Sequence, residues 1–131
     1  MSGNKSLINL GDLMVEYPKI KENFSTPHSI IMVALRKERS TDSWLNQSLG
    51  NWIIAETKRD KIQVIIGIDV ASRKVVSIAL LDLQKWWLID NRVHFTVREV
   101  LFESNKDDGK ALQTLEEALI WNPQNPVRYL N

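Results

Sequence analysis

Three residues have the types that a metal-dependent nuclease uses. Asp69 and Asp82 could hold a divalent cation, and Lys85 could balance developing charge. Asp82-Leu-Gln-Lys85 sets an acid and a lysine three apart. The pattern is weak, because acids at strand ends ordinarily serve as solvated caps or turn residues. Glu116-Glu117 and Asp107-Asp108 are weaker still, since neighbours on a helix point in different directions. His94 alternates with Val93, Phe95 and Val97 and so faces away from them. A solvated or hydrogen-bonded strand histidine is the default there, and a general base is the sharper alternative. No serine sits in a nucleophile elbow, and none of the five glycines stands in a phosphate-loop spacing. The absence of cysteine excludes thiol catalysis, disulfides and Cys-ligated zinc. The sequence therefore nominates no catalytic residue, no metal ligand and no cofactor, and a binding module is favoured over an enzyme.

Binding chemistry is better represented. Segment 51–74 carries Lys58, Arg59, Lys61, Arg73 and Lys74 against Glu56, Asp60 and Asp69. Segment 84–98 carries Lys85, Arg92 and Arg98 against Asp90 alone, whereas 103–117 holds two lysines against five acids. The formal charge of +1, from 17 basic and 16 acidic residues, is thus a cancellation between a basic and an acidic region. Trp52, Trp86, Trp87 and Phe95 belong to the basic part. Cations neutralise phosphate and flat side chains stack on bases, so this mixture suits nucleic acid. Tryptophan also fills cores, which is the expectation for Trp44 and Trp52. Adjacent strand residues point to opposite faces, so Trp86 and Trp87 cannot both be buried on one strand. One of the pair is a candidate surface aromatic.

The elements that must position these residues follow from periodicity. The chain has 131 residues, 44% of them hydrophobic and 25% charged, the range of one globular domain. Residues 1–28 read as a short helix and linker packed on the domain, with Leu7, Leu10, Met14 and Tyr17 at roughly helical spacing and Pro18 breaking the pattern. Ser29–Arg36 reads as a buried central strand. A helix is expected over about Thr41–Leu49, capped by Ser40, Thr41 or Asp42 and stopped by Gly50. Strands follow at Trp52–Ala55, Ile62–Val70 and Lys74–Asp82, the second with Ile62, Val64, Ile66, Ile68 and Val70 on one face. A tight turn at Asp69–Arg73 joins the last two. Asp90-Asn91 should turn the chain into a strand at Arg92–Phe102, where the alternation slips at Glu99 as a β-bulge would make it. After a polar loop at Asn105–Gly109, capped by Asp107 or Asp108, Ala111, Leu112, Leu115, Ala118 and Leu119 form an apolar stripe. The stripe predicts a helix over Lys110–Leu119. Two prolines then make the tail extended, with Val127–Leu130 long enough to pair at a sheet edge.

These elements make an α+β fold, with residues 29–131 forming a single domain around a small, curved, mostly antiparallel β-sheet or barrel with two or three short helices. No stretch is apolar enough to span a membrane, and a soluble, cytoplasmic protein, a monomer or homodimer, is the plain expectation.

Three segments together carry a resemblance. Gly50-Asn-Trp-Ile-Ile with Lys58-Arg59-Asp-Lys61 is followed by Val75 to Trp86, and then by Arg92-Val-His-Phe95. The chain closes on Gln124-Asn-Pro-Val-Arg-Tyr-Leu-Asn131. This pattern resembles a loosely defined, largely uncharacterised set of small bacterial and phage proteins, over about residues 29–131. The closing octet is its most specific part. The chain departs from the pattern between Phe102 and Trp121, where Asp108-Gly-Lys110 and an acidic stretch replace a Tyr-x-Gly-Lys segment. The resemblance implies a PUA-like β-barrel, a setting among restriction, defence or mobile elements, and binding of RNA or modified DNA. It directs attention to Trp52, Lys58, Arg59, Trp86, Arg92, Asn125, Arg128 and Tyr129; the residue types add Lys61 and Trp87. The closing octet has a structural alternative, in which Asn and Gln fix a terminal strand through backbone groups and Arg128-Tyr129 lock it down. The function expected is a non-enzymatic nucleic-acid-binding module. A protein-binding inhibitor or accessory factor of phage or defence origin is the alternative, and a metal-dependent nuclease comes third.

Overall fold

The computed structural model describes residues 7–107 and 110–131, so the Asp108 cap, Gly109 and the opening Met1-Ser-Gly-Asn-Lys lie outside the described residues. Among the described residues ten strands are formed: β1 (Leu7–Ile8), β2 (Ile30–Leu35), β3 (Gly50–Trp52), β4 (Val64–Asp69), β5 (Lys74–Leu81), β6 (Trp87–Ile89), β7 (Arg92–His94), β8 (Val97–Glu103), β9 (Thr114–Leu115) and β10 (Val127–Tyr129). Three helices, α1 (Leu10–Glu16), α2 (Pro18–Lys21) and α3 (Trp44–Ser48), complete a small α+β fold. Among the described residues no helix is long and apolar enough to cross a membrane.

The main sheet runs β1-β9-β5-β4-β2-β10, with β8 also paired to β5; it is curled into a half-barrel. Most of its pairs are antiparallel; β2–β4 and β1–β9 are parallel. The continuous apolar run of β2 is explained by burial of both its faces. Ile30, Met32 and Ala34 share a core with Leu10, Leu13 and Ile20 of the N-terminal helices. Ile31, Val33 and Leu35 point the other way, into a second core with Trp44, Leu45, Trp52, Ile54 and Phe95. Trp44 and Trp52 are buried. The slip expected near Glu99 is real and double. Along β5 the β8 register steps over Arg98 and again over Leu101, which bends the strand around the curled sheet.

A second sheet, β3-β7-β6, carries the candidate site. Asp90 and Asn91 both have positive φ (49° and 66°), the backbone of the two-residue hairpin turn that joins β6 to β7. The third helix is shorter than expected: it starts after Ser43, whose Oγ accepts the Asn46 N–H at 3.1 Å. The strand expected at Trp52–Ala55 sits earlier, at Gly50–Trp52. Ile62 lies before β4 and packs into the second core with Ile65, not on the face of Val64, Ile66 and Ile68.

The helix expected over Lys110–Leu119 does not form. Thr114 and Leu115 pair with Leu7 and Ile8, and Leu112 N–H donates to Val75 O at 2.9 Å, so the segment is extended. Only a short 3-10 turn, Glu116–Ala118, remains. Arg73 fixes the exit of that turn by donating to Ala118 O and Trp121 O at 3.2 and 2.8 Å. Backbone pairing to two strands outweighs the modest helix preference of one short apolar stripe.

Candidate nucleic-acid interface

The second sheet sorts its side chains by alternation. Val93 is fully buried and pairs with Trp52 and Leu88, whereas His94 lies across from Gly50 on one side and Trp87 on the other. Arg92, two residues from His94, therefore shares the outer face with His94, Trp87 and Ile89. The imidazole of His94 stacks on the Trp87 indole, with centroids 5.7 Å apart and planes 17° from parallel. Trp87 keeps 48% of its surface exposed. Glycine at position 50 is required by this row, because a Cβ there would overlap His94 Nδ1.

Beside this face opens a cleft of about 720 Å³, within the range of small-ligand clefts. Arg92, His94 and the bulge residue Asn51 form one wall, and Gln124, Asn125 and Pro126 form another. Arg39, Asp42 and Gln47 line it from the segment around α3. Asn51 has a φ of 74°, a left-handed conformation that asparagine tolerates better than most residues. Its carbonyl accepts from Arg92 Nη1 at 3.4 Å, which uses one of the five guanidinium donors. Two arginines stand against one carboxylate in the lining, which favours an anionic ligand. Trp52 contributes only a wall, since it is buried and its indole N–H donates to Ser48 O at 2.7 Å.

Other nominated residues form a separate group. Lys58 Nζ sits 4.7 Å from the centroid of the Tyr129 ring, and the Arg59 guanidinium lies 5.4 Å from that of Trp86. Arg59 and Trp86 are further committed: Arg59 Nε donates to Ile54 O at 2.9 Å, and Trp86 Nε1 donates to Asp60 at 2.6 Å. Trp86 is half-buried against the second core, so it is Trp87 that reaches the surface. Burial raises the Tyr129 phenol above its ordinary pKa. Lys58 and Arg59 lie on the 3-10 turn Glu56–Lys61, which Lys61 ends, exposed. Arg128 points elsewhere, donating to Glu117 O at 3.4 Å.

The closing octet divides accordingly. Gln124, Asn125 and Pro126 line the cleft, while Asn131 clamps the linker ahead of β2. Its side chain accepts from Ser29 N and Ile30 N at 3.1 and 3.0 Å, and donates to Phe24 O and Thr26 O at 2.7 Å each. Asp69 and Asp82 are not brought together. They stand at opposite ends of the β4–β5 hairpin, roughly 20 Å apart by strand rise. Asp69 holds its turn through Ala71 N and Ser72 Oγ, and Asp82 pairs with Lys85 at 3.3 Å.

Arg39, Gln47, Asn51 and Gln124 are the cleft residues that pattern reasoning missed. Asn51 and Gln124 stand inside the Gly50-Asn-Trp and closing-octet patterns without being singled out, and Arg39 and Gln47 left no signal. No family model, curated protein or solved structure matches this chain.

Proposed function

We propose that this protein is a non-enzymatic nucleic-acid-binding module, for RNA or modified DNA, that takes one unstacked base at its cleft. The observation that supports this reading is the shared face of Arg92, His94 and exposed Trp87 beside a basic-lined cleft. Arg92 and Arg39 supply charge for the phosphates, and Trp87 supplies a flat surface for a neighbouring base. The phage or defence setting belongs to this proposal through the resemblance alone. Fluorescence anisotropy with labelled single strands over a salt series is the test. Affinity should fall steeply with salt, and Arg92→Ala should lower the log–log slope by about 0.7, the value of one phosphate contact on a single strand. Absence of binding at low salt, or an Arg92→Ala slope equal to that of the unaltered protein, would overturn it.

One observation favours a protein partner instead. β6 is an edge strand whose three residues, Trp87, Leu88 and Ile89, are all exposed, and an apolar edge can pair with an added strand. A pull-down that retains one nuclease-resistant partner, lost on substituting Leu88 and Ile89 with lysine, would favour this second reading.

A further inference from the structure

Two nitrogen atoms in the cleft walls have no partner: Gln47 Nε2 and His94 Nε2 are buried without a hydrogen bond. The Gln47 amide is pinned. Its Oε1 accepts the Arg36 backbone N–H at 3.0 Å, and the flipped amide would set two donors against each other. Nε2 is therefore a fixed donor that no side chain or backbone group satisfies. Gln47 is only partly buried and lines the cleft, so this donor belongs to the cleft wall. A neutral imidazole offers one donor and one acceptor nitrogen, so His94 suits either kind of ligand edge; Gln47 does not.

We infer that Gln47 makes the cleft selective for keto bases. It favours guanine and uracil or thymine, which carry a carbonyl at O6 or O4, over adenine and cytosine, which carry an amino group there. This inference rests on the nucleic-acid reading above. The pinned amide meets an acceptor in the first pair and a donor in the second, and a donor left facing a donor is the costlier mismatch.

Competition between oligo-U and oligo-C, and between a strand with one central guanine and the same strand with adenine, tests the inference. The expected preference for the keto member is about tenfold. Gln47→Glu keeps the acceptor for Arg36 N–H but replaces the donor with a second acceptor, so the preference should reverse even if overall affinity drops. Gln47→Met should bind both members equally. Matching melting curves for the variants exclude a folding artefact. Salt-dependent binding without a keto preference, or a preference that Gln47→Glu leaves unchanged, overturns this inference and leaves the nucleic-acid reading standing. No binding of any strand at low salt overturns both.

Discussion

Two groups of cations and aromatics, each built on one of the adjacent tryptophans Trp86 and Trp87, behave differently. Lys58, Arg59, Trp86 and Tyr129 meet one another: the cations cover the rings, and Trp86 N–H and Arg59 Nε bond to protein oxygens. Arg92, His94 and Trp87 instead face outward, with an exposed indole and an unpartnered imidazole nitrogen. Composition is alike in both. What separates them is access: the rings of the first group are covered by its own cations, whereas Trp87 leaves about half its surface open to a ligand.

The sharpest way to break this comparison is to truncate each tryptophan in turn. Trp86→Ala removes a half-buried ring and its bond to Asp60, so thermal unfolding should show a loss of about 2–3 kcal/mol, below the range for fully buried aromatics. Nucleic-acid affinity of the folded fraction should stay the same. Trp87→Ala should do the reverse, leaving the melting temperature nearly unchanged and weakening single-strand binding about tenfold, a typical stacking contribution. Equal effects of the two in either assay would erase the distinction.

Gly50→Ala probes the outward group from beneath. Its methyl overlaps His94 Nδ1, so the ring must shift, at a cost of about 1–2 kcal/mol for overpacking. The stack on Trp87 should loosen, and the indole emission should move accordingly. Arg59→Ala should cost about 1 kcal/mol of stability, the value of a hydrogen bond with a cation over a ring, without changing the salt slope of binding.

The smallest effect concerns pH. Burial raises the Tyr129 phenol, so the unfolded chain loses that proton at lower pH than the folded one. The stabilisation is fully present below pH 10 and is lost as pH rises above the ordinary tyrosine value. Tyr17 shifts the same way, from burial and then from Glu16. Tyr129→Phe should make stability above pH 10 less sensitive to pH, measured by urea unfolding at fixed temperature.

How far the chain could be read varied with the range of the interactions. The continuous run of β2, the Asp90-Asn91 turn, the bulged β8 and the terminal strand were legible, because each is fixed by its own residues or by simple alternation. The stretch 110–119 was not. Its stripe has helical spacing, but its backbone groups pair with strands far away in sequence, and Leu119 ends up 49% exposed. The outward tryptophan was half legible: one of Trp86 and Trp87 was expected at the surface, but Trp86 lies just before β6 and not on it, and its packing on the second core with a bond to Asp60 decided which. Arg39 and Gln47 were invisible as site residues, since the cleft exists only once α3, β3 and the tail have met.

That late meeting has a kinetic consequence. One wall of the cleft, Gln124–Pro126, leads directly into β10, which pairs with β2 and is clamped by Asn131 onto Ser29, 102 residues away in sequence. Closing so long a loop comes slowly compared with forming the β4–β5 hairpin. A refolding chain should therefore regain most of its strand signal before it regains a cleft. The interval between the two, read by circular dichroism against ligand capture, is the time the protein spends folded in its centre and blind at its edge.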